Sequence, residues 1–131
     1  MRQVLIIDDN VVVVALLETI FTRLGYEVKT AYGGKEGIEL FNGTHNFDMI
    51  VTDISLPGMD GNEVARSIRS SDKADVPIIA MSGYDDEADN ELFTFSLEKP
   101  FHVQAFKDVI KSIERGQKAA QGSQMNWRCH A

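Results

Sequence analysis

Only one cysteine, Cys129, occurs in 131 residues. No disulfide can form within the chain, and so sparse a cysteine content fits a cytosolic protein. The three histidines, His45, His102 and His130, are scattered without zinc-ligand spacing. Basic residues are few: 13 Lys and Arg against 20 Asp and Glu give a net charge of -7. Phosphate backbones demand a basic patch, so this composition argues against nucleic-acid binding. No apolar run approaches the roughly 20 residues that span a bilayer, so no membrane partner is expected. Val11 to Ile20 comes nearest, but an acidic pair precedes it and no cleavage site follows, unlike a signal peptide. Gly33-Gly34 and Gly37 make no dinucleotide fingerprint. No internal repeat is present.

What is there reads as one domain with a sizeable core. Hydrophobic residues make up 44%, an ordinary share for a globular chain. Strand-like runs alternate with helical patterns. The expected strands are Val4 to Asp8, Glu27 to Ala31, Met49 to Asp53, Ile78 to Ser82 and Phe93 to Leu97. The expected helices are Val11 to Leu24 with Gly25 as its stop, Gly34 to Phe41, Asn62 to Ser70 capped by Asn62, and Val103 to Ile113. Such alternation predicts a parallel sheet covered by helices on both faces. Gly116 to Ala131 is rich in Gly, Gln, Ala and Ser. It divides the chain into a domain at 1–115 and, at 116–131, a flexible tail, linker or cloning remnant.

Four strands deliver polar groups at their carboxyl ends: Asp8-Asp9, Asp53, Ser82 and Lys99. In an open parallel sheet, ligands bind beyond those ends. Three carboxylates make a site for a hard divalent cation. A hydroxyl and an amine beside them suit a phosphoryl group.

Asp8-Asp9-Asn10, Asp53 followed by Pro57-Gly58-Met59-Asp60-Gly61, Ser82-Gly83 and Lys99-Pro100-Phe101 stand in the order typical of one family. From about Val4 to about Glu114 the chain resembles a chemotaxis-regulator-like receiver domain of bacterial response regulators. The resemblance implies a flavodoxin-like, doubly wound, five-stranded parallel sheet in the order 2-1-3-4-5. It also implies a cis bond before Pro100. Asp53 would be the phosphoacceptor of a two-component phosphorelay, taking its phosphoryl group from a sensor histidine kinase or a histidine phosphotransfer protein. Mg2+ would be held by Asp8, Asp9, Asp53 and the backbone carbonyl of Ser55. Lys99 and Ser82 would contact the phosphoryl group. Such a domain is a signalling module with self-catalysed phosphorylation and slow autodephosphorylation, acting through an output domain or downstream protein.

The chain departs from the family pattern on its output side. The family's switch aromatic falls at Ser96, with Phe95 facing the other way along the strand. Tyr84 is expected at the rim. Ser82 and Lys99 are 99 − 82 = 17 positions apart, shorter than the usual spacing. The intervening residues are acidic and poor in apolar side chains. The helix between strands four and five is therefore expected to be short or absent. Val11-Val12-Val13-Val14 crowds four β-branched residues into one turn, so one or two must face outward. They would offer an apolar docking patch for a kinase or phosphotransfer helix bundle.

Two other classes compete. An aspartyl-phosphate phosphatase of the haloacid-dehalogenase type needs a second acid two residues after the nucleophile, where Ser55 stands. A pseudo-receiver that only binds would have no need for the intact acidic pair, Asp53 and Lys99.

Overall fold

A computed structural model describes residues 1–83 and 85–116, together with the backbone of 126–128. Strands β1 (Gln3–Ile7), β2 (Glu27–Ala31), β3 (Met49–Asp53), β4 (Ile78–Ser82) and β5 (Phe95–Glu98) pair in parallel in the order β2-β1-β3-β4-β5. Helices α1 (Val11–Arg23), α2 (Gly34–Phe41), α3 (Gly61–Arg69) and α4 (Val103–Glu114) connect and cover them. A further strand, β6 (Asn126–Arg128), runs parallel to β5, with Leu97 opposite Trp127. It adds to the expected five. The remainder of the expected tail, 117–125 and 129–131, lies outside the described residues, as does Tyr84.

Alternation along the strands sorts the core into two layers. Val4, Ile6, Val51, Met81 and Leu97 face α1 and α4, where Phe21 and Phe106 are fully buried. Leu5, Ile7, Ile50, Ile78 and Ala80 face α2 and α3. Both faces of the central strands are apolar because both are covered.

Helix α1 begins where Asn10 Oδ1 accepts hydrogen bonds from the backbone N–H of Val12 and Val13. Of its valines, Val14 is buried, whereas Val11 and Val12 are 65% and 73% exposed. Gly25 ends the helix at φ 91°, as its stop signal predicts. The Gly25 N–H reaches the Thr22 carbonyl and the Tyr26 N–H reaches that of Phe21. This is a Schellman closure, sealed by edge contact of the Phe21 and Tyr26 rings at 5.1 Å.

Several expected boundaries shift by a residue or two. Helix α3 is capped by Asp60, not Asn62: the Asp60 carboxylate accepts from the Glu63 N–H at 2.9 Å, and Gly61 is drawn into the helix. Asn62 already lies inside the first turn, so the cap falls to the Asp60 carboxylate. Strand β5 starts at Phe95, not Phe93, because the Thr94 hydroxyl takes the N–H of Ile78 at 3.1 Å. Strand β1 ends at Ile7, leaving Asp8 just beyond it.

No helix lies between β4 and β5 among the described residues. The reason is visible on β5. Phe95 and Leu97 are buried toward α1 and α4, while Ser96 and Glu98 turn half-buried polar side chains to the other face. That face offers no apolar stripe for a helix to cover. Residues 85–94 run as irregular chain with turns at 85 and 90–92, and Ala88 and Leu92 pack against the α2–α3 core layer.

Candidate functional site

Parallel pairing brings the carboxyl ends of the strands to one edge. Ile7 lies opposite Thr52, Asp53 opposite Met81, and Ser82 opposite Glu98. The first residues beyond the ladders continue it: the Ile54 N–H bonds the Met81 carbonyl at 3.0 Å, and the Lys99 N–H bonds the Ser82 carbonyl at 2.7 Å. Asp8, Asp53, Ser82 and Lys99 are therefore fixed by backbone, not by loop conformation. The Lys99–Pro100 bond is cis, as the resemblance implies.

Asp8 is fully buried, Asp53 nearly so, and Asp9 exposed. Carboxylate oxygens of the three lie within 4.8 Å of one another. Lys99 Nζ donates to Asp53 Oδ2 at 3.0 Å and to Asp8 Oδ2 at 3.5 Å. The other oxygens of these two acids are also held. Asp8 Oδ1 accepts from the Asn10 N–H at 2.9 Å, and Asp53 Oδ1 from the Ser55 N–H at 3.3 Å. Ser82 is half-buried at the end of β4, and Ser55 is exposed.

Three carboxylates against one ammonium leave a formal charge of −2 (−3 + 1) when all are ionised. Burial pushes the Asp8 carboxyl above its ordinary pKa, and the negative charge of Asp53 adds to this. The Asn10 N–H and the Lys99 ammonium oppose the shift without cancelling it. Burial also disfavours the charge on Lys99, but its hydrogen bond to Asp53 and its attraction to both acids outweigh that. The amine is held above its ordinary value. A site with surplus negative charge and only hard oxygen donors fits a small divalent cation such as Mg2+.

Sequence reasoning missed the close packing behind Asp53. Gly61 rests against the Asp53 carbonyl and Ile54 Cα, and its N–H bonds the Ile54 carbonyl at 2.9 Å. A Cβ there would collide with backbone, so the start of α3 is seated directly on the end of β3. The Asp53…Gly61 spacing was legible, but only as a turn. Two polar side chains were missed as well: Asn62 and Arg69 bond backbone of the β4–β5 segment.

Comparisons with known proteins agree with this geometry. The family model described as response regulator receiver domain matches residues 4–111. The chain is 33% identical over 130 residues to the alkaline phosphatase synthesis transcriptional regulatory protein PhoP of Bacillus subtilis, covering 95% of this chain and 53% of that protein. The chain spans about half the length of the curated relatives it matches. Among solved structures, response regulator protein TrrA of Thermotoga maritima, in complex with Mg2+ and BeF, superposes with a TM-score of 0.76 at 31% identity, covering 86% of this chain and 99% of that one. The receiver domain of sensor histidine kinase PA1611 of Pseudomonas aeruginosa, with a magnesium ion in its active-site cleft, gives 0.74 at 27% identity, covering 84% and 94%. Among the described residues, no helix is long and apolar enough to cross a membrane.

Proposed function

The chain belongs to the response regulator receiver domain family, and from that premise we propose that Asp53 accepts a phosphoryl group from a phosphohistidine and thereby switches partner contacts. One observation carries the reading: Asp53 shares a 4.8 Å cluster with Asp8 and Asp9 while Lys99 sits 3.0 Å from its carboxylate. A carboxylate oxygen of Asp53 attacks phosphorus and forms a P–O bond. The P–N bond of the donor breaks, its electron pair returns to that imidazole nitrogen, and the proton carried on the ring's other nitrogen makes the departing histidine neutral. Lys99 and the Ser82 hydroxyl offset the charge on the phosphoryl oxygens.

Asp8, Asp9, Asp53 and the carbonyl of Ser55 would hold Mg2+. When bound, it supplies a positive charge that favours the phosphoryl oxygens over bulk water. TrrA is described in complex with Mg2+ and BeF, and the PA1611 receiver with magnesium in its active-site cleft, which supports the same choice here.

The donor is a helical surface bearing histidine. Val11, Val12 and Leu16 are exposed on α1, immediately after Asp9 and Asn10. They offer an apolar platform beside the acceptor. The relatives that are transcriptional regulators extend well beyond the matched region, which supports an output domain as the downstream partner. A phosphatase reading is weaker, because Ser55 contributes no carboxylate where that chemistry needs one.

Incubation with acetyl phosphate and Mg2+, followed by intact-mass measurement, tests the acceptor. The wild type gains one phosphoryl mass and Asp53→Asn does not. Equal labelling of the two would refute the assignment.

A further inference from the structure

The middle of the segment that stands in place of a helix is hydrogen-bonded to α3 by one side chain, beside a longer Arg66–Asp89 ion pair at 4.0 Å. Asn62 uses both ends of its amide: Nδ2 donates to the Glu87 carbonyl and Oδ1 accepts from the Asp89 N–H, each at 2.8 Å. The amide thus does for residues 87–89 what the peptide of a neighbouring strand would do. Asn62 also adjoins Gly61, which is packed on the backbone of Asp53. The near end of the segment is tied to the site as well. The Gly83 N–H donates to Asp86 Oδ2 at 2.7 Å, the Asp86 N–H returns to the Gly83 carbonyl at 3.2 Å, and Gly83 follows Ser82 directly. The far end is held separately, where Arg69 Nε donates to the Leu92 carbonyl at 2.9 Å.

We propose that Asn62 is a latch, holding residues 85–91 down on α3 at rest and releasing them when Asp53 is phosphorylated. The inference rests on the acceptor reading of Asp53. The route is short. A Ser82 hydroxyl drawn toward a phosphoryl group carries Gly83 with it. The paired hydrogen bonds between Gly83 and Asp86 make those two residues move together. Glu87 and Asp89 follow within three residues, and the two bonds to Asn62 are lost as a pair because one planar amide makes both. Arg69 keeps Leu92 in place, so the strap swings about its far end. The face that Ala88 covers on the α2–α3 layer is then uncovered. Ser96, on the outward side of β5, has no part in this response.

Hydrogen exchange on the full chain tests the latch in three states: metal-free, with Mg2+, and with Mg2+ and beryllofluoride. In metal-free protein, Asn62→Ala raises exchange across 87–91 roughly 10-fold. Asn62→Asp keeps the acceptor for the Asp89 N–H, loses the donor to Glu87, and gives a smaller rise. In the wild type, beryllofluoride brings the same peptide to the Asn62→Ala level; in Asn62→Ala it adds little. Equal metal-free exchange in wild type and both variants overturns the latch even where Asp53 labels normally with acetyl phosphate. Unchanged exchange at 87–91 on beryllofluoride, with large changes around Ser96, overturns the release. Failure of Asp53 to label refutes the acceptor reading instead, and is read from intact mass alone.

Discussion

Lys99 Nζ lies 3.0 Å from Asp53 Oδ2, so the proposed nucleophile rests against an ammonium delivered by a different strand. The same ammonium is shared with buried Asp8 at 3.5 Å. It occupies part of the negative field that a metal would otherwise use. Lys99→Ala should therefore separate two properties. Labelling by acetyl phosphate slows at least about 10-fold, because a charge on the transferring group is lost. Mg2+ affinity holds or rises, because a competing cation is gone. Calorimetry and the labelling rate are the two measurements. Weaker Mg2+ binding in Lys99→Ala would contradict the competition.

Asp9 is the exposed member of the cluster, with its carboxylate free to meet a metal from solvent. Asp9→Ala is expected to lose most of the Mg2+ affinity, about 10-fold or more. Asp53→Asn loses less, since its amide keeps one oxygen donor. Titration calorimetry decides between them, and wild-type affinity in Asp9→Ala would exclude direct ligation.

Asp8 gives the site a pH signature. Burial raises its folded pKa above the unfolded value near 3.8. The stability it contributes is complete below that ordinary value and is lost as pH rises through the raised one. Above that raised value the metal-free site is held in an unfavourable charged state, and a cation relieves it. Saturating Mg2+ should raise Tm more at pH 7 than at pH 5. In Asp8→Asn this difference shrinks and the metal-free Tm rises. Thermal melts with Mg2+ or EDTA at both pH values are sufficient, and an equal Mg2+ effect at both would reject the argument.

Far from this site, Tyr26 donates its hydroxyl to Glu114 Oε2 at 2.7 Å, and Arg2 Nη1 meets the same oxygen at 2.6 Å. Burial, then the bond to Glu114, pushes the Tyr26 phenol up to about 12 from 10.0. Its contribution is present below pH 10 and is lost as pH climbs toward 12, a fall of roughly 2–3 kcal/mol at about 1.4 kcal/mol per pKa unit. Tyrosinate absorbance should show one late-titrating phenol that Tyr26→Phe removes. The variant's stability should also decline less between pH 10 and 12. A late phenol that survives the substitution would place the shift elsewhere.

The acidic edge was legible because a parallel sheet sends every strand's carboxyl end the same way. Asp8, Asp53, Ser82 and Lys99 therefore converge whatever the loops do. The missing helix was legible in the short Ser82–Lys99 interval and its acidic residues, poor in apolar side chains. The cap of α3 was misplaced by two residues because Asp60, Gly61 and Asn62 are each acceptable at a helix start, and only the contact of Gly61 with the β3 backbone decides among them. Asn62 and Arg69 could not be read as ties at all. Their partners are backbone groups more than 20 residues away, and a side chain bonding remote backbone leaves no periodicity in sequence. Strand β6 escaped for a similar reason: three residues carry too little pattern to mark a strand.

The dispersal of the site along the chain has a consequence for quality control. Asp8, Asp53, Ser82 and Lys99 come from four strands, and β3 must insert between β1 and β4 before any two of the carboxylates meet Lys99. No local hairpin or fragment can assemble even half of this arrangement, since every pairing in the sheet is parallel and long in sequence. If Asp53 is the acceptor proposed above, acceptance of a phosphoryl group would report that the sheet has assembled through Lys99. On that reading a half-made or partly melted copy would be charged far more slowly than the folded one, because the groups around Asp53 would not be gathered.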